Sequence, residues 1–290
     1  MAQRQGRIVS VSETLGFTPD EIGPWSEIKL EIVRDYAAAY SKILSAQAGL
    51  EHIYIDAFAG GGTHISRTTG EFVPGSPVNA LWVRPPFAEY HFVDLKAEKA
   101  AELRAIVGQR KDVHVYEEDC NLVLLSSVFP RARYEDYRRA LCLLDPYGMH
   151  LNWKVIETAG KMRSVDMFLN LPIMDMNMNA LHHVPEGVDP REAKRMDNLW
   201  GDDSWRQTCY QRQGDLFHGE RPVKKSNSEI AEVFRKRLRG KAGFSHVPKP
   251  VAMRNTKGSI VYYLFFASQK PVASEIVSDI FAEYRGRGED

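Results

Sequence analysis

"YIDAFAGGGTHISRTTGEFVPGSP", residues 54–77, is the stretch on which the fold turns. It opens as a buried strand ending in Asp56 and breaks into Gly60, Gly61 and Gly62. The next helix signal is Ser76-Pro77, where Ser76 offers an N-cap and Pro77 a first helical residue whose missing N–H costs nothing. The helix that ordinarily follows a glycine turn in a βαβ unit is thus about fourteen residues late.

Upstream, "WSEIKLEIVRDYAAAYSKILS" (25–45) sets Ile28, Ile32, Tyr36, Tyr40 and Ile43 at helical steps, with Ser26 as a cap. Downstream, the strand-like runs "AEYHFVD", "VHVYEED", "ALCLLD" and "VDMFLNLP" alternate with helical patterns over 96–107, "NLVLLSSVF" and "NWKVIETAGKM". In the second helix Ala100, Leu103, Ile106 and Val107 point inward. This alternation predicts an α/β fold with a mostly parallel twisted sheet and helices on both faces. Residues 173–226 break the pattern and read as an inserted helical cap, in which Met174, Met176 and Met178 pack. After the helix "SEIAEVFRKRLRG", "VPKPVAMR" and "SIVYYLFFAS" form an antiparallel hairpin across "NTKG", and "VASEIVSDIFAEYR" is a last helix. The expectation is one domain over 1–290 with an N-terminal helical segment over 1–50 and a frayed "GRGED" end.

The chain has 290 residues, with 38 basic and 38 acidic side chains, so no global field draws it to nucleic acid or an acidic membrane. Its longest apolar run, Ile260 to Ala267, is far short of the roughly 20 residues of a membrane span. The N-terminus lacks the apolar centre of a secretory signal, which predicts a cytoplasmic protein without membrane contact. Cys120, Cys142 and Cys209 are scattered and have no metal-ligand spacing. Between Arg221 and Lys241 basic residues crowd together, and Lys224, Lys225, Arg235, Lys236 and Arg239 make a candidate phosphate-facing surface beside the bland reading of a solvated helix.

The chemistry lies in a recurrence. The predicted strands end at Asp56, Asp94, Asp119 and Asp145, and open α/β sheets bind ligands outside the carboxyl ends of their strands. A dinucleotide would require a third glycine at position 65, which is Ile65, and the late helix withdraws its dipole from the glycines. No glycine-lysine-serine/threonine follows, so a P-loop is absent. S-adenosylmethionine carries no phosphate and presents a sulfonium, an amino group, a ribose diol and an adenine amine, all of which favour acidic acceptors. Asp56 would hold its amino group directly or through water, while Gly60 and Gly61 let backbone approach it. Asp94 would take the ribose hydroxyls. With the detour removed, its spacing from Asp56 is about the twenty residues expected of a ribose-binding acid. Asp119 and the Cys120 N–H would face the adenine. Ala57 and Phe58 beside Asp56, and Leu95 beside Asp94, complete the cofactor-binding set.

A magnesium site uses one or two carboxylates with substrate phosphates and waters, so acids strung along a sheet rim point away from metal. His182-His183 lacks the i, i+4 spacing of a zinc pair. Strand four ends "LLDPYG": Asp145 and the Pro146 carbonyl would accept hydrogen bonds from a target amine, and Tyr147 would stack on a base taken out of its stack.

Taken together, "YIDAFAGGG", "GSPVNAL", "WSEIKLEIVRDYAAAYSKIL", "LLDPYGM" and "PVAMRNTKGSIVYYLFFAS" resemble the three-Cys-motif partner family, TcmP, which is related to class I S-adenosylmethionine-dependent methyltransferases. The similarity spans nearly the whole chain. It implies a Rossmann-like methyltransferase fold, a three-cysteine radical-type partner protein, and a role in nucleic-acid modification or repair. Ala57 stands where the family commonly has glycine, and Tyr147 where related base methyltransferases commonly have a second proline. The competing expectations are a base-amino methyltransferase, a non-catalytic recognition subunit of the same fold and, as a minor alternative, a metal-dependent nuclease.

Overall fold

The strand that ends in Asp56 lies inside a seven-stranded sheet, flanked on both sides by parallel neighbours. The computed structural model describes residues 19–182, 187–215 and 219–287. The chain begins with β1 (Asp20–Ile22), α1 (Pro24–Ser45), β2 (Glu51–Asp56), the short strands β3 (Thr63–Ser66) and β4 (Phe72–Pro74), and α2 (Ser76–Trp82). It continues through β5 (Glu89–Asp94), α3 (Ala97–Val107), β6 (Val113–Glu117), α4 (Cys120–Val123), β7 (Arg138–Leu144), α5 (Trp153–Met162) and β8 (Val165–Leu171). There follow α6 (Ile173–Asn179), α7 (Pro190–Trp200), α8 (Trp205–Thr208), β9 (Tyr210–Asp215), β10 (Gly219–Lys224) and α9 (Asn227–Gly240). The chain closes with β11 (Val251–Arg254), β12 (Ile260–Ala267) and α10 (Pro271–Arg287).

The sheet order is β11-β12-β8-β7-β2-β5-β6. From β2 the chain builds outward through β5 and β6, then returns to the other side of β2 with β7 and β8, so the order reverses between β2 and β7. The pairs from β6 to β8 are all parallel, and β12 is antiparallel to both β8 and β11. This is a Rossmann-like arrangement: the mostly parallel sheet matches the strand–helix alternation, and the C-terminal antiparallel hairpin matches the two runs flanking residues 255–258.

Strand residues alternate between two apolar cores because successive side chains leave a strand on opposite faces. Ala140, Cys142 and Leu144 join Ile53 and Ile55 on the face covered by α5, α7 and α9. Leu141 and Leu143 join Tyr54, Phe92 and Phe168 on the face covered by α1, α3 and α10. Tyr36 of α1 sits edge-on to Phe168 and Phe266 at 5.4 and 4.7 Å, which docks the N-terminal helix on the sheet centre.

Local readings differ from the structure in instructive ways. α1 starts at Pro24 with Gly23 as its cap, so Ser26 is already helical, and Ile43 is 40 % exposed while Lys29 is buried. Ile106 is also exposed, at 38 %. α2 has Gly75 as its cap, so Ser76 is already helical. The stretch after the glycines is not structureless: β3 pairs with β4 and, in parallel, with β1, forming a second small sheet. The 173–226 insertion holds α6, α7 and α8 but ends in the antiparallel β9–β10 ribbon, so it is not purely helical. His183 lies outside the described residues, as do residues 288–290 of the expected frayed end.

One cation seats the insertion on the body. Arg237 of α9 is 8 % exposed, lies 5.1 Å from each of the Trp153 and Trp200 rings, and donates to the Trp200 carbonyl, Ser204 and Asp202. Replacing it leaves the Trp200 carbonyl and two indole faces without the guanidinium, while Asp202 keeps only Lys241 and Ser204. Arg237→Met should lower the unfolding free energy by about 3 kcal/mol, whereas Lys236→Met and Arg239→Met, on the exposed face, should change it by less than about 0.5 kcal/mol. Urea unfolding of the three variants checks this.

Candidate functional site

Parallel pairing carries the ends of β2, β5, β6, β7 and β8 to a single edge, and the strand order reverses there between β2 and β7. Asp56 lies at that reversal, fully buried at 0 % exposure. Its Oδ1 accepts from the Phe58 N–H at 3.3 Å, while its Oδ2, also buried, has no hydrogen-bond partner among the described residues. Burial raises the Asp56 carboxyl from its ordinary value near 3.8 to about 7; the Ser76 hydroxyl opposes the shift and the Asp145 charge adds to it. A strand-end carboxylate beneath the surface with an unpartnered oxygen is a costly arrangement.

Asp94, 7 % exposed, receives the Gly60 N–H on Oδ2 and the Lys96 N–H on Oδ1, both at 2.9 Å. The acid that the sequence assigns to the ribose therefore also fixes the glycine turn, with a second lone pair on each oxygen to spare. Gly60 has φ of 63°, and a side chain there would project into open space with only His64 near, at 4.0 Å. Gly61 differs, because a side chain there would collide with the Glu102 carboxylate. Of the two glycines, Gly60 borders open space and Gly61 serves packing against α3.

Asp145 stands just past the end of β7; its Oδ2 forms an ion pair with Lys29 of α1 and its Oδ1 accepts from the Asn170 side chain of β8. The following turn is latched by the insertion: Asp175 accepts from the Met149 N–H at 2.9 Å and from Arg195 at 3.2 Å. Pro146 is buried, and Tyr147 stands out with 77 % of its surface exposed. Asp119 caps α4 through the Asn121 N–H at 2.7 Å and is exposed, with Cys120 buried behind it. Ala57 is buried, Phe58 half-buried and Leu95 72 % exposed, all on the same edge.

The structure thus gathers Asp56, Gly60, Asp94, Asp119, Asp145 and Tyr147 along one rim. It does not bring the basic residues there as a row. Lys224 donates to Asn177 and Lys225 to the Thr208 carbonyl, each at 2.8 Å. Arg235 is taken by Glu232 and by the Val247 carbonyl, near the bridge between His246 and Ser268 that lies just beyond the end of β12 pairing the start of β8. Lys236 and Arg239 are exposed on the same helix. The C-terminal half of α9 therefore sits toward the opposite edge from the aspartates, because α9 runs back down the sheet.

Two residues escaped the sequence reading. Lys29 falls on the buried stripe of α1 with Ile32, Val33 and Tyr36, and a lysine on an apolar stripe was the available signal. His64 lies on β3 beside the glycine turn. Burial and the nearby Lys29 charge hold its imidazole down at about 4, and its Nδ1 has no partner among the described residues. Nothing in the local sequence marked it, since its place depends on how the detour folds.

Among the described residues one trio of potential metal ligands converges, Glu89, His91 and His114, on β5 and β6. Glu89 is already held by Arg131, at 2.9 and 3.0 Å, and by Arg138 at 2.7 Å, so a cation there would face two guanidinium groups. No described helix is long and apolar enough to cross a membrane.

No protein-family model and no curated protein matches the sequence. Among solved structures, the chain is similar to a Legionella pneumophila protein of the DUF519 family, with TM-score 0.46, 10 % identity, and coverage of 83 % of this chain and 85 % of that one. It is also similar to a putative methyltransferase from Thermobifida fusca (TM-score 0.39, 16 % identity, 82 % and 80 % covered). A third is Aeropyrum pernix fibrillarin in complex with S-adenosyl-L-methionine (TM-score 0.33, 12 % identity, 84 % and 76 % covered). These are likenesses of fold.

The Asp56 carboxyl sets a stability test. Its folded value lies above the unfolded one, so its contribution is complete below pH about 4 and is lost as pH rises through about 7. Asp56→Asn removes that loss: the variant should match the wild type near pH 4, gain through pH 7, and level off at up to about 4 kcal/mol. Thermal unfolding across pH checks the trend.

Proposed function

We propose that the chain is an S-adenosylmethionine-dependent methyltransferase whose cofactor lies along the rim from Asp56 to Asp119. The observation that carries the reading is Asp56, a buried strand-end carboxylate with one unpartnered oxygen, next to a glycine turn that is open at Gly60. Such a site suits a cation. It is hostile to phosphate, because the buried carboxylate repels an anion and the helix that would present its N-terminus begins only at Ser76. When bound, the cofactor supplies a methyl group on a positively charged sulfur.

Asp56 would hold the amino group, directly or through water, and Asp94 would add ribose hydroxyls to the backbone donors it already accepts. Asp119 and the Cys120 N–H would read the adenine. The exposed Leu95 offers an apolar edge for a ring. On the acceptor side the Asp145-Pro146-Tyr147 turn is held from behind by Asp175, so positioning and electrostatics would supply most of the rate. Membership of the TcmP family, a nucleic-acid base as acceptor and a three-cysteine radical-type partner belong to this proposal through the sequence motifs alone. The exposed Lys236 and Arg239, set away from the rim, lend the nucleic-acid part no further support.

Calorimetry with S-adenosylmethionine tests the reading. Binding should weaken at least about tenfold in Asp94→Ala, the scale of one lost charged hydrogen bond. Because the ligand cation prefers ionised Asp56, affinity should rise with pH up to about 7, where the carboxyl ionises, and fall again above about 8 as the ligand's amino group loses its proton. A titration at pH 8 that gives no heat and no rise in melting temperature overturns the proposal.

A further inference from the structure

We propose that Lys29 is a catalytic residue on the acceptor side and that the atom to be methylated is an oxygen, bound by the Lys29 ammonium and deprotonated by Asp145. The proposal rests on the methyltransferase reading above and takes an oxygen, in place of a base amine, as the acceptor atom.

Lys29 comes from α1, which precedes the strand-helix alternation, yet its side chain is 10 % exposed and ends at the carboxyl edge of β7. Its Nζ pairs with Asp145 and lies 5.8 Å from the Tyr262 ring, and its charge reaches both Asp56 and His64. Burying an ammonium and a carboxylate together is a poor way to hold a helix down, since an apolar pair of similar volume does so as well or better. The apolar contacts of Tyr36 already seat α1. The helix is thus seated without the pair, and Asp145, whose side chain is 27 % exposed, leaves the pair open to an incoming substrate.

The charge at this point discriminates between acceptor atoms. A base amine gains positive charge as its nitrogen takes the methyl group, which the Lys29 ammonium beside Asp145 opposes. The Asp145 oxygens, which receive the Lys29 ammonium and the Asn170 amide, each keep a lone pair that can take a proton. A hydroxyl or carboxyl oxygen fits the same arrangement, because its lone pairs accept from the ammonium, which carries three N–H donors and gives one to Asp145. In the transfer, the acceptor O–H bond breaks and its proton passes to Asp145. The oxygen lone pair forms the bond to the methyl carbon, and the carbon–sulfur electrons remain on sulfur, leaving S-adenosylhomocysteine and an O-methyl product. The ammonium acts where negative charge develops on oxygen. The exposed Tyr147 beside Asp145 gives the entrance an aromatic wall, which suits an acceptor with a flat apolar body.

The test uses the full chain with methyl-tritiated S-adenosylmethionine and a desalted cell extract supplemented with DNA and RNA; labelled products are identified by mass spectrometry. The expected label is O-methyl. Lys29→Met should lower transfer by about 100-fold or more, the scale of a lost oxyanion donor, with cofactor affinity changed less than about threefold. Lys29→Arg should restore part of the transfer. A second readout needs no turnover: the double variant Lys29→Met, Asp145→Asn, which keeps an acceptor for the Asn170 amide, should melt at or above the wild-type temperature. An N-methyl product, undiminished transfer by Lys29→Met, a double variant that melts well below the wild type, or cofactor binding without any labelled product overturns the inference. If S-adenosylmethionine does not bind at all, the methyltransferase reading itself falls with it.

Discussion

Parallel pairing is the constraint from which the rest follows. Once β2, β5, β6, β7 and β8 run in one direction, their carboxyl ends share an edge, and each loop that leaves a strand must start there. Residues remote in sequence then meet without any local cause: Asp56 feels the charges of Asp145 and of Lys29. The reversal of strand order between β2 and β7 parts the loops at that edge, because the chain leaves β2 toward β5 and leaves β7 toward β8.

The two edges of the sheet are finished differently. At the amino edge the polar groups are paired: Glu89 is bound by Arg131 and Arg138, and Asp166 accepts from the Tyr36 and Ser268 hydroxyls. At the carboxyl edge Asp56 Oδ2, Asn170 Oδ1 and His64 Nδ1 are buried without partners among the described residues. Unpaired buried polar atoms cost stability. Their gathering at the edge where the strand order reverses is what a binding site looks like when its preorganisation is set against the stability of the fold.

The segment ahead of the first sheet strand contributes more than a cover. Asp20 pairs with Lys99 of α3 at 3.1 Å, Glu27 accepts from Ser66 of β3 at 2.8 Å, and Lys29 reaches Asp145 at the end of β7. Three contacts to three different elements tie β1 and the start of α1 across the same edge. The late helix has its physical reason here: the residues between Gly62 and Gly75 form the small sheet that accepts β1, and α2 can start only after that hairpin returns.

The sequence by itself determined the order of elements in the seven-stranded sheet and the aspartates at or just past four of its strand ends. Both follow from short-range rules: side-chain alternation within a strand, helical periodicity, and the turn residues that end each run. α5, β8, α9 and the β11–β12 hairpin lie where the periodicity put them. Tertiary structure alone decided which of those side chains meet. Lys29 reads locally as one more polar residue of an amphipathic helix, His64 as a loop histidine, and Arg235 and Arg237 as a solvated basic face. Their partners Asp145, the glycine turn, Val247, Trp200 and Asp202 sit on other elements. A side chain's charge is written in the sequence, but the partner that neutralises it, or fails to, is fixed only when packing brings distant strands and helices within hydrogen-bond reach.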